Sequence, residues 1–538
     1  MKILLVSDFS LQNFAGYLQK IAAPGATEVA IAPFGQVPQV LLGAEASLWE
    51  PRPDCAVVWT RPEAVLPSFQ AVLEGKPAEA SAVLQEVDDF CALLEKAAAR
   101  TPVLFVPTWV LPPLHAGHGL ADLATPLGPV RLLMAANLRL LEKIQATKGA
   151  FPLAAAKWTE LAGAAAYSPR LWYGAKVPFA NDVFKQAAKD VAAALRGIRG
   201  RARKLVLLDL DDTLWGGTVG ETGWEGLQLG GHDPVGEALV DFQRELKALS
   251  RRGVALGILS KNEESVALGA LRAHPEMVLR PDDFAGWRIN WNDKARNLAE
   301  LVRELNLGLD SVVFFDDNPV ERARVRETFP DVLVPELPED KRLYVQTLLG
   351  LDCFDKPLVT DEDRERARMY VEERKRTEIR NAAGSIEDWQ ASLKIVVTVS
   401  ALDDGNRVRV AQLLNKTNQL NLRTRRLTEA ELTQWAAAPG RKVWAFRVAD
   451  RLGDSGLTGV LSIETDGDRA VIADYVLSCR VMGRGVEETL LRVAADWARQ
   501  ADLREIEAVH LPTAKNQPCL DFFRRSGWTE RAPDTFAW

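Results

Sequence analysis

Three side chains able to do phosphoryl chemistry stand two residues apart just past the most strand-like run of the chain. In KLVLLDLDDTLWGG, the apolar run Leu205–Leu208 delivers Asp209, Asp211 and Thr213 to its carboxyl edge, the place where open α/β sheets bind ligands. A carboxylate at Asp209 can attack phosphorus and form an aspartyl-phosphate, which divides one hard displacement into two easier ones. Asp211 can bend round the turn to protonate the leaving oxygen and later to activate water. Thr213 can bind the phosphoryl oxygens. Further on, Ser260 ends GILS, Lys294 sits in NWNDKARNL, and Asp316 and Asp317 end VVFFDD. Ser260 offers a hydrogen bond to phosphate, and Lys294 a fixed positive charge against the transferring group. Gathering Asp209, Asp211, Asp316 and Asp317 requires a hard divalent cation, and oxygen-only ligands with open positions point to Mg²⁺ as the cofactor. A lone D-x-D turn is more often a turn or helix cap. Four such elements, in order at the ends of successive strands, argue for a site.

A second constellation lies in YVLSCRVMGRGVEETLLRVAADWA. A strand runs into Arg480, Gly483, Arg484 and Gly485 and then into an amphipathic helix. Amides of a tight glycine turn at the positive end of a helix dipole make an anion site suited to a pyrophosphate or a phosphopantetheine phosphate. Cys479 directly precedes that turn. Arg480 and the helix amino end favour its thiolate, the form that attacks acyl phosphates and thioesters. Buried apolar packing is the competing reading of such a cysteine. His510, near the end of EIEAVHL, is a candidate base for the thiol, against the alternative of a strand histidine satisfied by backbone groups. Asn415, Thr417, Asn418 and Gln419 in LLNKTNQLNLRTRR, with Asn516 in TAKN, offer donors and acceptors to a hydroxylated acyl group or pantetheine amides. A solvated polar helix end has the same composition. Cys353 and Cys519 have no comparable setting and read as structural.

The elements that must position these residues come in series. Residues 1–200 alternate short apolar runs (Ile3–Val6, Ala56–Trp59, Val103–Val106) with alanine-rich helical stretches, a βα pattern of a parallel sheet covered by helices. The connector GIRGRARK ends that region. Residues 201–352 form a second βα series, with strands at Leu205–Leu208, Val254–Leu259 and Ser311–Phe315. Asp233 as cap, Pro234 in the first turn and Gly253 past the end frame one of its helices. Residues 353–385 carry the charged stretch DEDRERARMYVEERKRTEIR, whose mixed signs predict a solvated connecting helix. Residues 386–538 mix strand runs (Ile395–Val399, Val443–Val448, Ala470–Leu477, Ile506–Leu511) with helices and predict a further α/β domain.

Bulk properties bound the function. A chain of 538 residues exceeds one hydrophobic core, and its 47% apolar and 26% charged content is that of ordinary globular protein. The net charge of -7 excludes a surface built to neutralise phosphate backbones, so no nucleic-acid partner is expected. Five scattered cysteines without CxxC pairing, and only a short apolar run before Asp8, predict a reducing cytoplasm. No apolar stretch approaches the ~20 residues of a membrane helix.

LLDLDDTLWGG, LSKN, DKARN and FFDDNPVER resemble the four motifs of the haloacid dehalogenase (HAD) superfamily. The longer text KLVLLDLDDTLWGGTVGE resembles in particular the FkbH family, whose members load a glyceryl unit from 1,3-bisphosphoglycerate onto an acyl carrier protein in polyketide-type biosynthesis. The resemblance implies a central HAD-type Rossmannoid parallel sheet, with WGGTVGETGWEGLQLG in place of a flap or small cap. It makes Asp209 the nucleophile, Asp211 the acid/base, Ser260 and Lys294 the phosphate binders, and Asp317 a Mg²⁺ ligand supported by Asp316. RVMGRG matches the R-x-x-G-x-G pattern of GNAT acyltransferases, and VHLPTAKNQPCLDFFRRSGW looks like that fold's closing elements, implying a C-terminal GNAT-like domain. SDFSLQNFAGYL and YSPRLWYGAKVPF look like the SGNH-like N-terminal portion of longer FkbH-type proteins. Ser7-Asp8 lacks the glycine-aspartate-serine order and no Asp-x-x-His pair is evident, so a structural or docking role is expected there. The implied activity passes an acyl group from a small phosphorylated donor through Cys479 to a carrier-protein thiol. A plain HAD phosphatase whose C-terminal region only binds substrate is one alternative. A non-catalytic docking module of a synthase assembly is another.

Overall fold

A computed structural model describes the chain except residues 23–25, 113, 114, 116 and 357–360. Two compact units each combine two stretches of chain, 1–205 with 308–360 and 206–307 with 361–538.

The first unit opens with five parallel strands, β1 (Lys2–Ser7), β2 (Glu28–Ile31), β3 (Cys55–Trp59), β4 (Leu104–Pro107) and β5 (Ala150–Leu153), in the order β2-β1-β3-β4-β5. The continuous apolar runs follow from helices on both faces. Leu4, Val6, Ala56 and Val58 enter one core, while Ile3, Leu5, Val57 and Trp59 enter the other, as a side-chain period of two requires. Trp59 is the hub of the second core, in edge contact with Phe14 and Trp158 and stacked on Phe179.

The strands that carry the phosphoryl motifs are β6 (Leu205–Leu208), β7 (Ala255–Ser260), β8 (Phe284–Ile289) and β9 (Val312–Phe315), in the sheet order β8-β7-β6-β9. β6, β7 and β9 are buried along their whole length. The helix Pro234–Arg251 begins as its cap residues dictate, with Asp233 accepting from the Gly236 amide at 2.7 Å. β8 does not appear in the sequence reading, because FAGWRI breaks its apolar run with Gly286 and Arg288.

The C-terminal sheet contains β10 (Val396–Ala401), β11 (Leu420–Asn421), β12 (Arg441–Asp450), β13 (Gly453–Asp466), β14 (Arg469–Leu477), β15 (Glu505–Val509), β16 (Thr529–Ala532) and β17 (Thr535–Ala537). Its order is β10-β12-β13-β14-β15-β17-β16. All pairs are antiparallel except β14 with β15, which run parallel over Arg469–Ile472. Past that point β11 pairs with Leu477 and Val476 of β14. β13 is the longest strand of the chain and was not foreseen, since glycines 453, 456 and 459 mark it as a loop.

The charged connector forms the helix Asp361–Ala382; residues 357–360 of the expected 353–385 connector lie outside the described residues. Its expected solvation is corrected at one face, where Glu372 and Arg376 are buried. Arg376 pairs with Asp450 at 2.7 and 3.0 Å, both side chains being almost fully covered. No helix of the described residues is long and apolar enough to cross a membrane.

Candidate phosphoryl site and the cysteine cavity

Four fully buried residues of β6 bring Asp209 to the end of the strand, where it is 8% exposed. Its Oδ2 accepts from Lys294 Nζ at 2.9 Å. Lys294 is buried and begins the helix Lys294–Glu304, whose cap Asp293 accepts from the Arg296 amide. Asp209 Oδ1 is buried with no hydrogen-bond partner. Asp316 and Asp317 follow β9, and with Asp209 they each offer an oxygen within 4.8 Å of the others. Three carboxylates against one ammonium leave these four side chains with a formal charge of about −2, which is costly away from water. A hard divalent cation offsets that charge and gives the orphaned oxygen a partner. The donor set fits Mg²⁺, which Asp209, Asp316 and Asp317 would hold, and which would neutralise charge on a phosphoryl group.

Asp211 was expected among the metal ligands, and its side chain lies elsewhere. Its Oδ1 accepts from Trp215 Nε1 at 2.8 Å and the Val219 amide at 3.0 Å, and its Oδ2 from Asn262 Nδ2 at 2.8 Å. With three donors on its two oxygens, the carboxylate is oriented and stands outside the three-carboxylate group. Trp215 and Val219 belong to the short flap, which is closed by reciprocal amide bonds between Gly216 and Gln228. Thr213 and Ser260 are both buried, one turn after Asp209 and at the end of β7. Asn262 was missed by sequence reasoning, although it is the last residue of LSKN.

Cys479 is the one exposed cysteine of five. Burial pushes the thiols of Cys353 and Cys519 up to about 12, in keeping with structural roles. Cys479 opens the short turn Cys479–Val481 and borders a cavity of about 620 Å³ with Asn306, Gln419, Ser455, Ser478 and Arg480. Asn306 Nδ2 lies 3.7 Å from its Sγ.

Several residues expected to bind an acyl group or pantetheine are committed elsewhere. Gly483 and Gly485 take positive φ, 74° and 79°, as the glycine turn demands. The Gly483 amide, however, donates to Glu487 Oε1 at 2.5 Å. Glu487 is buried in the first turn of the helix Val486–Gln500 and fills the place expected for a phosphate; burial raises its pKa. Arg484 is buried against Glu373 and Asp450. Asn415 donates to the carbonyls of Ala411 and Leu427. Asn418 accepts from Arg426. Asn516, fully buried, donates to Asn421 and Leu511 and accepts from the Thr513 amide. Thr417 caps the carboxyl end of the helix Arg407–Lys416, and its carbonyl accepts from Asn421. His510 is buried with Nε2 3.3 Å from the Asn516 carbonyl, and no described hydrogen bond joins it to Cys479. It stands just past β15, and its Nδ1 is buried with no hydrogen-bond partner among the described residues, so only one ring nitrogen is satisfied by the backbone.

The chain is similar in structure to the N-terminal part, containing a phosphatase domain and complexed with Mg, of a Bacteroides fragilis protein. The two share 27% identity at a TM-score of 0.59, over 66% of this chain and 94% of that one. An α/β fold of phosphatase type follows. A shorter likeness is to ribosomal-protein-S18-alanine N-acetyltransferase from Escherichia coli, with 10% identity and a TM-score of 0.21 over 26% of this chain and 91% of that one. No protein-family model and no curated protein matches the chain.

At the end of β1, Ser7 Oγ accepts from the Phe9 amide at 3.1 Å. Asp8 accepts from the amide and Nε of Arg61 at 2.8 and 2.7 Å. Burial raises the Asp8 pKa against the opposing pull of Arg61. Both residues are engaged in local structure.

Proposed function

We propose that the chain is a Mg²⁺-dependent HAD-type enzyme that handles a small phosphorylated acyl donor of the 1,3-bisphosphoglycerate kind and passes its acyl group through Cys479 to an acyl carrier protein. The observation that carries the reading is the state of Asp209. One oxygen is held by Lys294 at 2.9 Å, and the other is buried without a partner beside two further carboxylates. An oriented carboxylate of that kind can attack phosphorus, with the ammonium neutralising charge on the transferring group. Asp211, fixed by three donors, is the acid for the leaving oxygen and the base for the water that follows. The Mg complex of the similar phosphatase-domain structure supports the same chemistry here.

The acyl step balances without a further reactant. The Cys479 sulfur bonds to the carbonyl carbon of an acyl phosphate, the bond from that carbon to the phosphate oxygen breaks, and inorganic phosphate leaves with the electron pair. The thiol proton passes to solvent. Exchange with a phosphopantetheine thiol then regenerates Cys479. Incubation with Mg²⁺ and 1,3-bisphosphoglycerate is expected to add a glyceryl mass to the wild type and none to Cys479→Ala, and the mass should move to a carrier protein. Phosphate release from the phosphate monoester is expected to require Asp209. The alternative of a plain phosphatase draws on the absence of a described side-chain base on Cys479 and on Glu487 filling the glycine turn. It predicts that Cys479→Ala leaves all product formation unchanged.

A further inference from the structure

We infer that the cavity beside Cys479 is an acyl pocket in which Asn306 donates to the carbonyl oxygen during acyl transfer and Ser455 meets a hydroxyl of a short, hydroxylated acyl group. The inference rests on the reading of Cys479 as the acyl acceptor.

Asn306 stands 173 residues before Cys479 in the chain, just past the helix Lys294–Glu304. Attack on a carbonyl places negative charge on an oxygen attached to the carbon that bonds Sγ. A donor 3.7 Å from Sγ is within hydrogen-bond reach of that oxygen. The amide therefore serves a charge that exists only while the tetrahedral species exists.

Asn306 also has a purely local explanation. Its φ is 52°, and its amide donates to the Arg303 carbonyl at the helix end. Asparagine is favoured there because it tolerates the left-handed conformation. Glycine satisfies that backbone requirement equally well and lacks the side-chain donor, so Asn306→Gly separates the two roles.

Ser455 supplies an independent observation. It is 7% exposed, lines the same cavity, and its hydroxyl has no hydrogen-bond partner among the described residues. That hydroxyl is uncommitted to the protein and is available as donor and acceptor to a ligand hydroxyl in the cavity. Arg480 and Gln419 add polar groups to the wall.

The test uses the full-length protein with two synthetic acyl donors, glyceryl and propionyl thioesters of N-acetylcysteamine. Acylation of Cys479 is followed by intact-mass spectrometry, and alkylation by iodoacetamide is followed in parallel. Asn306→Gly is expected to slow acylation by about 10²-fold, with an unchanged melting temperature. Alkylation creates no oxyanion, so its rate should stay at the wild-type value. Ser455→Ala is expected to reduce the preference for glyceryl over propionyl by about tenfold, the effect of one unmade hydrogen bond. Wild-type acylation rates in Asn306→Gly, or an equal slowing of acylation and alkylation, would overturn the donor role. An unchanged donor preference in Ser455→Ala would overturn the pocket assignment. Absence of any acyl mass on the wild type, with both donors, would overturn the underlying reading of Cys479 as well.

Discussion

Substitution of Lys294 by methionine isolates the electrostatic part of the phosphoryl site. Lys294 is 3% exposed, and its Nζ lies 2.9 Å from Asp209, so solvent screens the pair little. Unit charges about 4 Å apart attract by roughly 4 kcal/mol at an effective dielectric constant near 20. If the transition state gains most of that attraction, its loss lowers turnover by about 10³-fold. Methionine preserves length and apolar contacts, which keeps the change electrostatic. The same substitution leaves three carboxylates without their ammonium, so the Mg²⁺ concentration giving half-maximal rate should fall while turnover collapses. Both quantities come from initial rates of phosphate release across a Mg²⁺ titration, with circular dichroism confirming the fold. A loss of less than tenfold in turnover, or a higher Mg²⁺ requirement, would refute the assigned role.

Three further outcomes follow from the described contacts. Saturating Mg²⁺, at about a hundred times its dissociation constant, should stabilise the wild type by roughly 2.7 kcal/mol, seen as a raised melting temperature that EDTA reverses and Asp209→Asn lacks. Asp450→Ala removes the best-covered carboxylate partner of the buried guanidiniums of Arg376 and Arg484, leaving them Glu372 and Glu373, and should cost about 3–5 kcal/mol in urea denaturation. Burial pushes the Asp450 carboxyl up, yet hydrogen bonds from Arg376 and from the Leu452 and Gly453 amides more than offset it and hold it low. Its contribution is therefore present above the unfolded carboxyl pKa near 4 and is lost as pH falls through the lower folded value. Glu487 has the opposite sign, because burial raises its pKa. Folding takes up a proton above the unfolded value, so stability declines as pH rises through that window; denaturation from pH 4 to 8 should show the decline in the wild type and a flatter profile in Glu487→Gln.

Much of the phosphoryl site is legible in the sequence because its carboxylates follow buried apolar runs, and strand ends in such sheets collect at one edge. Asp209, Asp316 and Asp317 are placed by that rule, whereas Lys294 opens a helix and is placed by its own cap, Asp293. Asp211 shows its limit. Its separation from Asp209 is plain in the sequence, whereas its three donors come from the flap and from Asn262, 51 residues away. The glycine turn is similar. Gly483 and Gly485 are required by backbone conformation and can be read directly, but whether the freed amide meets a ligand or the protein's own carboxylate depends on the burial of Glu487.

The amino-acid order by itself determined the βα series, the strand-end carboxylates, the cap at Asp233 and the glycines of the turn, because these depend on side-chain period and local backbone preference. Tertiary structure alone decided that β13 is a strand despite its glycines, that Arg484 and Asn516 serve internal bonds, and that Asn306 meets Cys479. Those outcomes depend on distances between segments far apart in the chain, and a polar side chain takes whichever partner folding brings within hydrogen-bond reach.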